Sequence, residues 1–285
     1  MSKAIKNYLN KGIDIPKNDS NADYIYKIVN GKELRVTFIK PKKAVFEKAP
    51  VYFLIPGGGW KAADRNGIID FSKISSDAVS KKGFAIVSVE YRLGGIDNVV
   101  LSDIVADCFD ALHYINFFSD IMNIDMQNIV MSGHSAGAHL ALMLSYSKPN
   151  IFPCSYIAEK NYNITSVAAM SPPTTLCVEG VSRTLGFDTD YLFEGCNTNT
   201  EREKVSPLSI VNEKCPRTIL FAGTKDTLVL PISSVMLYEK LSSYNVECKL
   251  VLSEGSGHCY EKLFDDIEPS VTMDDVQQMI VDFVS

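Results

Sequence analysis

The segment "NIVMSGHSAGAHLALMLSY", from Asn128 to Tyr146, carries the pattern G-x-S-x-G around Ser135. Apolar residues before the pattern predict a strand over Asn128–Ser132, and alanine-rich residues after it predict a helix over Ala136–Ser147. A serine at such a sharp turn projects over the sheet, at the positive end of the helix. The pattern alone recurs by chance, and the serine could simply cap the helix, but this context favours a nucleophile at Ser135.

A serine hydroxyl becomes a nucleophile at neutral pH only when a base takes its proton, and the chain has four histidines. His258 lies in the loop "SEGSGHCY", just past the last predicted strand, where a base could reach the serine. Of the others, His113 lies mid-helix, His139 packs in the helix after the serine, and His134 is the variable position of the pattern. His258 is therefore the predicted base.

A catalytic histidine also needs a carboxylate that orients its ring. Asp226, in "FAGTKDTLVLP", follows the predicted strand Arg217–Gly223. The order Ser135, Asp226, His258 is that of an α/β-hydrolase triad. Two alternatives stay open, because Asp226 could instead cap the next helix and Glu254 could take its place.

Apolar strands alternate with helical segments along most of the chain, which predicts an α/β fold with a mostly parallel sheet and helices on both faces. Before them, two alternating segments around Asn30-Gly31 predict an antiparallel N-terminal hairpin with a type I′ turn. The other predicted strands are Val51–Ile55, Phe84–Val89, Ile164–Met170 and Glu247–Leu252, and the other predicted helices are Ile68–Lys82, Asp103–Phe118, Ile232–Ser243 and Met273–Phe283. The segment 171–210 breaks the alternation, and we expect it to be a short insertion over the site within a single domain, 1–285.

The segment "VYFLIPGGGW", from Val51 to Trp60, places three glycines directly after a buried strand. A phosphate-binding loop would need G-K-[ST] after its glycines, and a dinucleotide site would need a third glycine opening a helix; neither is present. A plain turn needs one or two glycines only. The remaining explanation is a set of backbone N–H donors for a reaction intermediate, since glycine lets the backbone come close to a ligand.

Taken together, "PGGGW", "VEYRL", "GHSAG", "SPLSI", "GTKDTLV" and "GSGH" resemble an α/β hydrolase of the esterase/lipase group, from Val51 to the C-terminus. That group includes hormone-sensitive-lipase-like enzymes and small bacterial carbohydrate-ester deacetylases. The resemblance implies an oxyanion hole formed by the amides of Gly58, Gly59 and Ala136. Pro56 stands where the group has a histidine that steadies this loop, and proline could stiffen the same bend because its φ angle is fixed.

The resemblance implies a serine esterase without metal or organic cofactor, acting on a small-molecule ester. The short insertion favours short acyl groups such as acetyl. Alternatives are an amide or formamide hydrolase similar to arylformamidases, a peptidase, and a ligand-binding protein that has lost its chemistry. Candidate substrate-binding residues are Trp60, Tyr91 and His134, with Phe187 and Tyr191 as further aromatic candidates that could equally be core residues.

The composition excludes several other classes. The net charge of −6 argues against a nucleic-acid partner, and no apolar run approaches the ~20 residues of a membrane span or resembles a secretion signal. Seven scattered cysteines without a C-x-x-C pair favour reduced thiols in the cytoplasm over disulfides or a zinc site. Cys259, beside His258, could be a reactive thiol, although a small packing residue is the simpler interpretation. The oligomeric state is left open, a homodimer included.

Overall fold

The computed structural model describes residues 11–17, 21–156, 161–177, 184–263 and 267–284. In these residues eight strands form one sheet in the order β1-β2-β4-β3-β5-β6-β7-β8, with antiparallel pairing of β1 with β2 and of β2 with β4, and parallel pairing elsewhere. The strands are β1 (Ala22–Val29), β2 (Lys32–Ile39), β3 (Ala49–Ile55), β4 (Ala85–Val89), β5 (Ile124–His134), β6 (Ile164–Met170), β7 (Arg217–Gly223) and β8 (Cys248–Ser253). The predicted N-terminal hairpin and mostly parallel sheet are confirmed.

Helices cover both faces of this sheet, as predicted. Side chains of α1, α2 and α8 pack in one apolar core, and those of α3, α5 and α7 pack in the other. The helices are α1 (Arg65–Phe71), α2 (Lys73–Lys81), α3 (Leu101–Phe117), α4 (Ser119–Met122), α5 (Ala136–Tyr146), α6 (Asn199–Lys204), α7 (Ile232–Ser243) and α8 (Met273–Phe283).

Strand β3 explains why the central strands read as continuous apolar runs. Each of its seven residues is buried. Successive side chains of a strand point to opposite faces, so Val51 and Phe53 enter one core while Tyr52 and Leu54 enter the other. A strand covered on both faces has no polar side, and it can therefore hold a loop at its C-terminal end rigidly.

The predicted helix Ile68–Lys82 is in fact two helices, α1 and α2, which meet at Ser72 (φ −98°, ψ 28°). The cause is Gln277 of α8, whose side chain enters the break. Its Oε1 accepts hydrogen bonds from the amides of Ile74 (2.8 Å) and Ser75 (3.1 Å), and its Nε2 donates to the carbonyl of Phe71 (3.0 Å). A polar side chain from a distant helix thus replaces the backbone bonds that a continuous helix would have made.

Several other boundaries differ from the prediction by a few residues, and two of these differences have a visible cause. Strand β5 begins at Ile124 instead of Asn128, because Ala49 of β3 pairs with Ile124 and extends the ladder. Helix α3 begins at Leu101 rather than Asp103, and the Asp103 carboxylate accepts a hydrogen bond from the amide of Val100 (3.2 Å), so that it caps the first turn.

In the segment 171–210, residues 178–183 lie outside the described residues. The described part holds α6 and single 3-10 turns at Asp190–Leu192 and Pro207–Ile210. Arg202 of α6 is almost fully buried and ties this part together. Its guanidinium donates to the Leu176 carbonyl (3.0 Å), to Thr189 Oγ1 (3.2 Å) and to Asn197 Oδ1 (2.7 Å), and it also pairs with Asp190.

Candidate active site

Ser135 occupies a strained turn between β5, which ends at His134, and α5, which begins at Ala136. Its backbone has φ 55° and ψ −124°, a conformation that costs a residue with a side chain about 1–3 kcal/mol. The flanking glycines make the turn sterically accessible. A Cβ on Gly133 would lie 2.5 Å from the carbonyl of Gly137, and one on Gly137 would lie 2.0 Å from the carbonyl of Ile55. The turn therefore needs glycine at both positions.

Asp226 and His258 form a direct pair. Nδ1–H of His258 donates to Asp226 Oδ2 at 2.6 Å, and the Asp226 side chain is fully buried. The other carboxylate oxygen, Oδ1, accepts from the amides of Leu228 and Val229, each at 2.9 Å. These three bonds fix the position of the carboxylate. Because Nδ1 carries the ring proton, Nε2 is left as the basic nitrogen of His258.

Ser135 and His258 line the same cavity, whose volume is about 650 Å³. Within the described parts of the chain, no hydrogen bond joins Ser135 Oγ to the imidazole. Such bonds are often long in unliganded enzymes and shorten when substrate binds. The cavity is lined by Gly58, Gly59, Lys61, His134, Ser135, Phe187, Asp188, Tyr191, Leu228 and His258.

Gly58 and Gly59 of the loop after β3 line this cavity. Gly58 (φ 118°) and Gly59 (φ 58°) both adopt conformations that favour glycine. The N–H groups of Gly58, Gly59 and Ala136 donate no hydrogen bond to any described residue. Gly57 explains how the loop comes so close to the turn at Ser135, since a Cβ there would lie 2.6 Å from the carbonyl of His134.

Two of the three predicted substrate-binding residues lie beneath the cavity wall. Trp60 and Tyr91 are buried and are not among the lining residues. The Tyr91 hydroxyl donates to the carbonyls of Pro56 (2.7 Å) and Ala62 (3.3 Å), and burial raises its pKa well above the usual range. Trp60 packs edge-on against the His139 ring, with a centroid distance of 5.1 Å.

The third, His134, lines the cavity and also supports His258. Its Nε2–H donates to the carbonyl of His258 at 2.9 Å, and the two ring centroids are 4.7 Å apart. Burial is the main cause, and the nearby His258 ring a smaller one, of the fall in the pKa of His134 to about 4. His134 is therefore neutral at neutral pH and acts as a hydrogen-bond donor. Ser171 adds a second bond to the same carbonyl, at 3.0 Å.

The comparisons with known proteins assign the family. Residues 38–241 match the BD-FAE family, an α/β-hydrolase family. The chain belongs to the BD-FAE family. This confirms the predicted fold and the predicted superfamily, because the match includes the glycine loop, the G-x-S-x-G turn and the strand before Asp226.

Curated relatives of this BD-FAE member carry hydrolase names. An esterase of Gibberella moniliformis is 24% identical over 241 residues, which are 79% of this chain and 71% of that protein. A putative α/β hydrolase of Acanthamoeba polyphaga mimivirus is 29% identical over 118 residues, or 41% of this chain. The aligned part is only 32% of that viral protein.

Among solved structures, esterase 2 of Thermogutta terrifontis resembles this BD-FAE member. The propionate-bound form superimposes with a TM-score of 0.73 and 23% identity, covering 94% of this chain and 95% of that one. The apo form gives a TM-score of 0.71 over the same shares. The likeness confirms the α/β-hydrolase fold.

The side chains of the remaining candidates bond to other partners. Glu254 accepts from Thr224 Oγ1 at 3.4 Å, while the His258 ring bonds to Asp226. His113 and His139 are buried and bond through one ring nitrogen to the carbonyls of Tyr156 and Val205. The bond to Asp226 therefore distinguishes His258 from these two histidines.

Cys259 is exposed, with its Sγ 3.9 Å from His134 Nε2. Partial burial and the nearby Glu261 carboxylate raise the pKa of the Cys259 thiol, which keeps it protonated at neutral pH. In the described ranges no group of three or more His, Cys, Asp or Glu residues is placed to hold a metal ion. No helix there is long and apolar enough to cross a bilayer.

Sequence reasoning missed three cavity residues: Lys61, Asp188 and Leu228. Lys61 follows Trp60 in the glycine loop, and Leu228 lies two residues after Asp226, so their neighbourhood in sequence could have indicated them. Asp188 directly follows the candidate Phe187, so the same signal applied to it. The Lys61 ammonium lies 3.7 Å from the centre of the Tyr191 ring.

Proposed function

We propose that this protein is a serine esterase that cleaves short-chain, acetyl-type carboxylic esters through an acyl-enzyme intermediate on Ser135. One observation carries the proposal: a strained serine, a carboxylate-bound imidazole and unpaired amides open onto a single cavity. The BD-FAE family assignment and the esterase name of the fungal relative support the ester-hydrolase class.

The buried Asp226–His258 pair supplies the base. His258 Nε2 takes the proton of Ser135 as Oγ forms a bond to the ester carbonyl carbon. Asp226 stabilises the imidazolium that results, and its own position is fixed by the amides of Leu228 and Val229. The alcohol leaves with the proton from His258. Water activated by the same ring then attacks the acyl-enzyme, and the acid is released with Ser135 regenerated.

The glycine loop and the start of α5 supply the oxyanion hole. The tetrahedral intermediate has a negative charge on the former carbonyl oxygen, and the amides of Gly58, Gly59 and Ala136 are free to receive it. Loss of one such donor costs about 2.7–4 kcal/mol in enzymes of this kind. The amide of Ala136 has a further advantage, because it lies at the positive end of an 11-residue helix.

The cavity wall supports the short-acyl part of the proposal. Phe187 and Tyr191 come from the segment 171–210, which we propose is an insertion over the site within one catalytic domain. Together with Leu228 they give the cavity an apolar lining. Esterase 2 of Thermogutta terrifontis has been solved with propionate and with butyrate bound, which are short-chain carboxylates.

A panel of substrates tests the proposal with wild type and Ser135→Ala. p-Nitrophenyl acetate, butyrate, octanoate and decanoate report acyl length, and N-formylkynurenine reports formamide cleavage. We expect kcat/KM to fall from the short to the long esters and Ser135→Ala to abolish turnover. Faster cleavage of the decanoate than the acetate would refute the short-acyl part, and faster cleavage of the formamide would assign an amide hydrolase.

A catalytically silent binding protein gives a different result. In that case no ester would be turned over by wild type, although a ligand would still bind in the cavity. Undiminished ester cleavage by Ser135→Ala would contradict the serine mechanism itself.

A further inference from the structure

The glycine loop needs restraints from outside itself. Gly58, Gly59 and Trp60 all have positive φ angles, of 118°, 58° and 58°. Two of these are glycines, which have the largest backbone freedom of any residue. A donor that must point at a developing oxyanion contributes most when it is already fixed, so the restraints on this loop bear directly on the rate.

Carbonyl groups of the loop are held one after another. The carbonyl of Pro56 accepts from Tyr91, and that of Gly58 accepts from the amides of Lys61 (3.0 Å) and Ala62 (3.1 Å). The Trp60 carbonyl accepts from the amide of Gly94 at 2.8 Å. Between these anchors lies the carbonyl of Gly59.

Tyr191 provides the bond to that carbonyl. Its hydroxyl donates to Gly59 O, and its ring lines the cavity. The residue comes from the segment 171–210, far from the loop in sequence, whereas the partners of the Gly58 carbonyl are local. Tyr191 therefore joins the wall of the cavity to the backbone that faces the oxyanion.

The Tyr191 ring is itself held in place. It packs on Gly94, where an added Cβ would lie 3.2 Å from its Cε2, and it lies under the Lys61 ammonium. Its chain neighbours Asp190 and Leu192 are anchored too, Asp190 by the pair with Arg202 and Leu192 by complete burial. The hydroxyl is thus presented to the loop by a supported side chain.

We propose that Tyr191 is a positioning residue for the oxyanion hole: its hydroxyl fixes the Gly59 carbonyl, and its ring couples the occupied cavity to that loop. A peptide group is planar, so holding Gly59 O fixes the plane between Gly59 and Trp60. The preceding plane, which carries the Gly59 N–H, is fixed by the bonds to Gly58 O. Loss of the tyrosine hydroxyl leaves the Gly59 backbone restrained on one side only.

This inference rests on the proposed function, and Tyr191→Phe tests it while keeping the ring. We expect kcat for p-nitrophenyl butyrate to fall about tenfold, the value of one ordinary hydrogen bond, with KM changed less than about twofold. The inhibition constant of 1,1,1-trifluoro-2-butanone, which forms a hemiketal oxyanion on the serine, should rise by the same factor. A merely structural role would not weaken the oxyanion mimic in step with kcat.

Tyr244→Phe is the matched control, because Tyr244 is an exposed tyrosine at the end of α7. It should leave both constants unchanged. Tyr191→Leu, which also removes the ring, should raise KM in addition to lowering kcat.

The outcomes separate the two proposals. Full activity in Ser135→Ala refutes the serine mechanism, whatever Tyr191→Phe does. If Ser135→Ala is inactive but Tyr191→Phe keeps wild-type kcat and inhibition, only the role of Tyr191 is overturned. The role is also overturned if Tyr191→Phe raises KM and weakens inhibitor binding while its melting temperature falls. The hydroxyl would then stabilise the fold instead of the oxyanion loop.

Discussion

Asp226→Asn should remove most of the activity while leaving the fold in place. The buried carboxylate accepts three hydrogen bonds, two from the amides of Leu228 and Val229 and one from Nδ1–H of His258. Asparagine has one acceptor oxygen and one NH₂ group. If the oxygen stays on the two backbone amides, the NH₂ group faces His258 Nδ1. In the reverse orientation the NH₂ group would face the N–H groups of Leu228 and Val229. These buried donors would then be unpaired, which costs about 1–3 kcal/mol of stability for each.

The favoured orientation therefore forces the wrong tautomer on the base. With Nδ1 accepting a bond, the ring proton moves to Nε2, and Nε2 can no longer take a proton from Ser135. An equivalent change in a serine protease lowers kcat by about 10⁴-fold, which corresponds to about 5.5 kcal/mol. We expect a decrease of that order in kcat for p-nitrophenyl acetate.

Glu254→Gln is the control, since Glu254 is the exposed carboxylate that could have replaced Asp226 in the sequence. Stopped-flow or steady-state hydrolysis should give wild-type kcat for Glu254→Gln, and melting curves should show both variants folded. A folded Asp226→Asn that keeps more than about a tenth of wild-type kcat would refute the reasoning. So would an equal loss in Glu254→Gln.

Three further predictions concern stability. Gly137→Ala should lower the free energy of unfolding in urea by about 3 kcal/mol or more, because its Cβ would lie 2.0 Å from a strand carbonyl. Gly31→Ala, in open space at φ 77°, should lower it by only about 1 kcal/mol. Equal costs would contradict the steric argument. Arg202→Met should speed thermolysin cleavage within 184–210, because it leaves two buried acceptors, the Leu176 carbonyl and Thr189 Oγ1, without their donor. Unchanged cleavage would argue against that role. Burial lowers the pKa of His134 and His139 from 6.5 to about 4, so the unfolded chain binds more protons than the folded one below neutral pH. The free energy of unfolding should therefore fall by about 2 kcal/mol for each histidine between about pH 7.5 and 5. A flat profile would contradict the shifts.

The sequence predicted the parts of the molecule that depend on local pattern. Strand β3 is apolar throughout, and strand β7 is apolar from Ile219 onward, because both faces are covered. The turn at Ser135 needs glycine at Gly133 for a local reason, since a Cβ there would meet the carbonyl of Gly137. Asp226 and His258 could be placed because each follows a strand whose end lies at the same edge of the sheet.

Features caused by distant residues escaped prediction. The break at Ser72 depends on Gln277, which is about 200 residues away. Nothing in the sequence around Gln277 distinguishes it from the other polar residues of α8. Trp60 and Tyr91 could be recognised as aromatics near the loop, but only the packing shows that they lie beneath it. Asp188 becomes a cavity residue through the tertiary fold of its segment, which brings Phe187, Asp188 and Tyr191 to the cavity that Ser135 lines.

Labelling with a fluorophosphonate, followed by peptide mass spectrometry, tests the central claim most directly. The serine oxygen would bond to phosphorus, fluoride would leave, and His258 would take the hydroxyl proton. We predict one adduct per chain on the peptide that contains Ser135, and none in Ser135→Ala. An unmodified wild-type protein, or an adduct on Cys259 that persists in Ser135→Ala, would contradict the account.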